Sequence, residues 1–313
     1  MDISRRKFIH SLAASVALSQ AGLSIRMARA LMIEPISAAE QLMYSTVRID
    51  CPIPNTDKSK TGTGFFYDVP TADAGVNVPI LVTNKHVIEG TPSANFVVHS
   101  ATQSGAKKPD SNRNFTSPTS AWIPHPKTEI DLCALPVAEI TNSTSPYPFL
   151  RTINPGHTRS QAELEQLNAV EDVLMVGYPI GLWDAANNFP IIRRGITASH
   201  PAVDFDVKGV ATTVVDIAAF PGSSGSPVFI YNNGAIIDKK NNTTFGTRLI
   251  FLGVLYSGPT FQPDGKIAIK DVPTVATAVP VIDTMINLGY LIKAKEVIAL
   301  GEHILTTHNL KPK

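Results

Sequence analysis

The chain reads as an all-β protein in two barrel-like halves. Short strand-like runs rich in Val, Ile, Thr and aromatic residues recur from Tyr44 to Tyr256, and they are separated by Gly, Asn, Pro and Ser turn chemistry. The 313 residues are 43% hydrophobic and 17% charged, which suits one sizeable globular unit; all-β architectures commonly occupy about 200–250 residues as a single domain.

Ser4-Arg5-Arg6-Lys7-Phe8-Ile9 opens the chain, followed by a modestly apolar segment to Ile25 and then Ala28-Arg29-Ala30. Paired arginines, an apolar stretch and a small-x-small site resemble a twin-arginine export signal cleaved after Ala30. The segment is too weakly hydrophobic for a membrane anchor and carries Arg26 and Arg29 at its far end. The expectation is export to the periplasm or the exterior, with no stable membrane insertion once the signal is removed. Of 27 Lys and Arg and 26 Asp and Glu, five and one fall in residues 1–30, so the remainder holds 22 basic and 25 acidic residues, net −3. That balance argues against a nucleic-acid partner. The two cysteines, Cys51 and Cys133, have neither zinc-site nor redox-motif spacing and read as buried free thiols, with a bridge between them the alternative that an oxidising compartment permits. Neither cofactor nor metal is implied.

Ile33 to Leu42 reads as a short helix, and Ser45-Thr46-Val47-Arg48-Ile49 alternates as a strand. Thr61 to Tyr67 and Pro79 to Thr83 read as paired strands, the second ending just before His86. Ser100 to Ser120 is polar and without period, hence a surface loop. A helical patch at Ser160 to Leu167 links the halves. Strands resume at Val173 to Pro179, Ile191 to Ala198, Thr212 to Ile217, Val228 to Tyr231 and Leu249 to Tyr256, with turns at Asn232-Asn233-Gly234 and Lys239 to Thr243. Val275 to Gly301 carries apolar residues at helical spacing, including Val281, Met285, Leu288 and Ile292, and reads as an amphipathic helix packed on the second half.

Chemistry concentrates in three places. A serine hydroxyl is a poor nucleophile at neutral pH and needs an imidazole to take its proton. His86, in Thr83-Asn84-Lys85-His86-Val87, is the candidate base for Ser224, in Pro221-Gly222-Ser223-Ser224-Gly225-Ser226-Pro227. The imidazole in turn requires a carboxylate to fix its tautomer and offset its developing charge. Asp131, an isolated acid in Ile130-Asp131-Leu132-Cys133-Ala134-Leu135, can supply it. The small Gly222-Ser223-Ser224-Gly225 turn lets an oxyanion approach backbone N–H groups, with Gly222 and Ser224 as donors. Taken singly, a histidine after a strand or a Gly/Ser turn is ordinary structure, and His99, His125, His157, His200, His303 and His308 are read that way. The ordered set of three is what points to a triad.

These residues resemble a trypsin-like serine peptidase of the chymotrypsin fold, closest in style to the bacterial HtrA-type branch but without a PDZ domain. The resemblance rests on Gly62-Thr63-Gly64-Phe65, Thr83 to Val87, Asp131 to Leu135, Gly177-Tyr178-Pro179, Gly195-Ile196-Thr197 and Asp216 to Val228, across Tyr44 to Gly258. It implies two six-stranded antiparallel β-barrels, about 44–150 and 171–270, within a peptidase domain at 31–313 that ends in a helical tail. It also implies hydrolysis of polypeptide through an acyl-enzyme. The specificity pocket would have its base at Ala218 and its wall at Tyr256, Ser257 and Gly258; no acid sits at that base, so cleavage after small or medium apolar residues is expected, and poor cleavage after Lys or Arg. Ser223 stands where digestive relatives keep the acid of their activation switch. An α/β-hydrolase esterase is excluded by motif and order, since Ser226 occupies the second elbow-glycine position and the histidine precedes the serine. A protease fold retained only for binding stays open as the alternative.

Overall fold

The computed structural model describes residues 35–142, 147–205, 212–261 and 284–313. The expected export signal at 1–30 lies outside them. Among the described residues no helix is long and apolar enough to cross a membrane.

A short helix α1 (Ala38–Leu42) opens the described chain, set by a capping box in which Ser37 Oγ accepts from the Glu40 N–H and Glu40 accepts from the Ser37 N–H. The first sheet follows: β1 (Thr46–Pro52), β2 (Ser59–Pro70), β3 (Asn77–Thr83), a single helical turn α2 (Lys85–Ile88), β4 (Ser93–Ala101), β5 (Lys107–Pro118), β6 (Ile123–Pro124), β7 (Cys133–Pro136), a turn of helix α3 (Ala138–Thr141) and β8 (Tyr147–Phe149). Its order is β5-β4-β1-β2-β3-β7-β6, with β8 on β4. The eight strands exceed the six of the expected half because β6 and β8 are two- and three-residue additions.

A linker with the helical turn α4 (Gln161–Leu164), again capped reciprocally by Ser160 and Glu163, leads to the second half. There β9 (Asp172–Gly177), β10 (Ile191–Thr197), β11 (Thr212–Asp216), β12 (Pro227–Ile237), β13 (Thr243–Ser257) and β16 (Leu288–Lys293) close a six-stranded antiparallel barrel in the order β10-β11-β16-β13-β12-β9. The two-residue strands β14 (Thr260–Phe261) and β15 (Thr284–Met285) pair beside it. Helix α5 (Ala294–Thr307) completes the fold. The architecture is thus the chymotrypsin-like pair of β units with a C-terminal helix.

Three expectations are corrected. Ser100 to Ser120 is not a loop: Lys107–Pro118 forms β5, a long edge strand paired with β4 from Ser93↔Pro118 to Ala101↔Lys107. As an edge it needs few apolar residues, and its Phe115 alone stacks inward on Phe96. Asn232-Asn233-Gly234 is not a turn but runs within the β12–β13 ladder opposite Arg248, Thr247 and Gly246. The reversal comes at Asp238–Asn242, where the Asp238 carboxylate accepts from the Lys240 and Asn242 N–H groups. In the tail, Val281 lies outside the described residues, and the helix begins only at Ala294. Leu288–Lys293 instead is the strand that closes the barrel, between β11 and β13.

Each half has its own apolar centre, and a third cluster joins them. Phe65, Tyr67 and Val82 from the first sheet meet Phe229, Phe251 and Ile292 of the barrel, with Val297, Leu300 and Ile304 of α5 sealing one side. Phe251 lies at the seam, edge-on to Phe65 at 5.5 Å between centroids. Cys51 and Cys133 are buried free thiols, and burial pushes both above the ordinary thiol range.

Candidate active site

His86 sits in α2, immediately after β3 ends. Asp131 lies just before β7, the strand hydrogen-bonded to β3 from Thr83↔Cys133 onward, so the sheet register carries the two side by side. The ring Nδ1 of His86 is 2.5 Å from Asp131 Oδ2, and the His86 main-chain N–H donates to Oδ1 at 3.1 Å. With a carboxylate accepting at Nδ1, that nitrogen carries the proton, and Nε2 is left as the basic face. Asn84, fully buried, donates from Nδ2 to the Asp131 carbonyl at 2.7 Å, and Lys85 Nζ donates to Thr128 O at 2.8 Å. These two bonds tie the acid's loop to the base's turn. The pair remains in contact with water, with side-chain exposures of 44% for His86 and 25% for Asp131.

Ser224 belongs to the loop between β11 and β12. His86, Ser224 and Gly222 line one cleft of about 650 Å³, together with Lys60, Thr61, Val87, Ile180 and Pro221. The Ser224 hydroxyl makes no hydrogen bond to the His86 ring; apo geometry at such sites is commonly longer than in the substrate complex.

Gly222 has φ +88°, and the Ser223 N–H closes a turn on Phe220 O at 2.9 Å. Pro221 O accepts from the Ile180 N–H at 2.5 Å, which directs the Gly222 N–H to the opposite side of that peptide. Among the described residues nothing accepts from the N–H of Gly222 or of Ser224, whereas those of Ser223, Gly225 and Ser226 are all bonded to carbonyls. Ile180 itself has φ +47°, a costly conformation for a β-branched residue, and it is held at the rim of the cleft.

The expected pocket residues sit at or just past the ends of β11 and β13. Ala218 follows β11, Tyr256 and Ser257 end β13, and Gly258 comes just beyond; among the described residues none of the four lines the cleft. The end of β13 does run beside the nucleophile loop, through Gly225 N–H to Leu255 O at 2.8 Å and Leu255 N–H to Ser226 O at 2.9 Å. Sequence reasoning missed two residues. Half-buried Arg193 of β10 donates to Ala218 O at 2.6 Å with its guanidinium over the Phe220 ring at 4.8 Å. Thr63 is the other. The Gly62-Thr63-Gly64 run flags it, as a polar β-branched residue between two glycines on a strand that passes the cleft.

Among the described residues no three His, Cys, Asp or Glu side chains gather as a metal site. A family model described as trypsin-like peptidase domain matches residues 62–237, more than half of the chain and the span that contains all three triad candidates. Among solved structures, the chain is similar to the Rv3671c protease from M. tuberculosis in its active form, at 18% identity and a TM-score of 0.42, covering 86% of this chain and 84% of that one. It is also similar to the serine endoprotease from Yersinia pestis, at 13% identity and a TM-score of 0.45, covering 88% of this chain and 69% of that one. No curated protein matches the chain in sequence.

Proposed function

We propose that this chain, which belongs to the trypsin-like peptidase domain family, is a serine endopeptidase that cuts polypeptides through an acyl-enzyme. The observation that carries the reading is the His86–Asp131 pair opening onto the cleft that also holds Ser224 and the two unbonded amides. In the first half-reaction Ser224 Oγ attacks the scissile carbonyl carbon as its proton passes to His86 Nε2. The carbonyl oxygen takes the electron pair and is met by the Gly222 and Ser224 N–H groups. Collapse breaks the C–N bond, and His86 returns the proton to the leaving amine. Water then repeats the sequence on the ester, its proton going to His86 and on to Ser224 Oγ. Asp131 stays ionised throughout, holding the ring and offsetting the imidazolium.

For specificity we retain a pocket based on Ala218 and walled by Tyr256, Ser257 and Gly258, favouring small or medium apolar side chains. The Arg193 guanidinium bonded to the Ala218 carbonyl supports discrimination against Lys and Arg, since like charges repel at a poorly solvated site. The proposal keeps residues 1–30 as a twin-arginine signal, 31–313 as the peptidase domain, a periplasmic or extracellular location, and no nucleic-acid or membrane partner.

The test is a peptide-library digest by wild type beside His86→Ala, with fluorophosphonate labelling of wild type beside Ser224→Ala. Cuts after Ala, Val or Leu and covalent label, both confined to wild type, are the expected result. Well-folded wild type that neither cuts nor labels would make the chain a protease fold used for binding.

A further inference from the structure

The nucleophile loop is held by its carbonyls, and a single residue of the opposite sheet takes two of them. Thr63, on β2, donates its main-chain N–H to Ser224 O at 2.8 Å and its Oγ1 to Gly222 O at 3.2 Å. That same Oγ1 accepts from the Tyr178 N–H at 3.1 Å and from Ser226 Oγ at 3.1 Å. One donor and two acceptors are all that a hydroxyl offers, and here all three are used. The side chain is completely buried, and its own carbonyl is fixed in turn by Thr83 Oγ1 at 2.7 Å. Room at this junction is short as well: a Cβ on Gly225 would run into the Thr63 carbonyl, so the loop cannot shift toward β2 to replace a lost bond.

We propose that the Thr63 hydroxyl is a positioning residue for the oxyanion turn. This rests on the serine-peptidase reading and extends it. Pro221 O is taken by Ile180 and Gly222 O by Thr63, so the peptides on both sides of the Gly222 α-carbon are pinned, and the orientation of the Gly222 N–H follows. Without the hydroxyl, a buried carbonyl, a buried amide N–H and the Ser226 hydroxyl each lose a partner. Rotation of the turn to recover those bonds would carry the Gly222 N–H away from the developing charge. The contribution appears in the transition state and not in ground-state substrate binding.

The test compares Thr63→Val, Thr63→Ser and, as a buried threonine remote from the cleft, Thr197→Val, whose lost hydroxyl bonds Ala169 O at 2.7 Å. Thr63→Val is expected to lower kcat about 10- to 100-fold with KM within about twofold, a smaller effect than the roughly 100- to 1000-fold cost of deleting an oxyanion donor outright. Thr63→Ser should regain most of that loss, and Thr197→Val should lower the melting temperature without moving kcat. If valine at 63 does not fold, Thr63→Cys, whose thiol is a weak donor, should be slower than both wild type and Thr63→Ser, and a cysteine variant as fast as wild type would overturn the idea. Active wild type with Thr63→Val equally fast, or with Thr63→Ser as slow as valine, overturns the role of Thr63 alone. Folded wild type that fails to label with fluorophosphonate overturns the peptidase reading and this inference with it.

Discussion

The carboxylate of Asp131 grips His86 twice, through ring Nδ1 at 2.5 Å and through the main-chain N–H at 3.1 Å. The first contact sets the tautomer and the second sets where the ring stands. Asp131→Asn can keep the main-chain bond but can turn its NH₂ toward Nδ1, which would move the ring proton to Nε2 and remove the base. A fall in kcat of about 10⁴-fold is expected with little change in folding stability. Steady-state hydrolysis beside a thermal melt checks this, and a loss under tenfold would mean that His86 works without its acid.

Gly222→Ala should strike turnover harder than binding. At φ +88° an alanine is strained, and its Cβ would lie 2.7 Å from Tyr178 O and 3.0 Å from Ile180 N. Relief requires the turn to rotate, taking one oxyanion donor with it. A drop in kcat of about 100-fold or more is expected, read from progress curves at saturating substrate. Unchanged kcat would place the oxyanion elsewhere.

Arg193→Met keeps the stem and removes the charge. It forfeits the bond to Ala218 O and the contact with Phe220, a loss of about 2 kcal/mol for a charged hydrogen bond with a stacked cation. Urea unfolding should register that loss. In parallel, kcat/KM for substrates with Lys at the cleaved position should rise relative to those with Leu, and a flat ratio would separate Arg193 from specificity.

His99 predicts an acid-sensitive stability. Burial, with the nearby Lys107 cation adding to it, lowers its pKa from 6.5 to about 4, against the neighbouring polar groups of Asn188 and Asn112, which oppose the shift. It is packed with Tyr44 and Phe189, beside Lys107 over the same rings. Below pH 6.5 the unfolded chain takes up a proton that the native state refuses. Stability therefore falls from about pH 6.5 down to about pH 4, by about 3 kcal/mol from this group, and levels off below. In denaturant unfolding at pH 7, 5.5 and 4, the stability of wild type should fall relative to that of His99→Phe by about 3 kcal/mol across the series. Parallel curves would show that His99 does not carry the effect.

What the sequence discloses here depends on how local the signal is. His86, Asp131 and Ser224 stand out because few side chains suit their chemistry and each follows or precedes a recognisable strand or turn. The edge strand β5 escapes because period-2 alternation needs an apolar face, and Lys107–Pro118 has one aromatic, Phe115, to show. Leu288 and Ile292 fit helical spacing and also a strand buried on both faces; only the barrel's need for a sixth member decides between them. The role of Thr63, as distinct from its position between two glycines, is illegible for another reason. The partners of its hydroxyl come from positions 115 to 163 residues away, and no window along the chain contains them.

Phe251 meets Phe65 of the other unit in the middle of apolar packing shared by both sheets and α5. Prising the units apart would wet an aromatic seam, so the gap between His86 and Ser224 has no hinge of its own. Its width is a dimension of the interior. A change of ring size at Phe251, buried in the shared core and not a lining residue of the cleft, is where that width would be retuned.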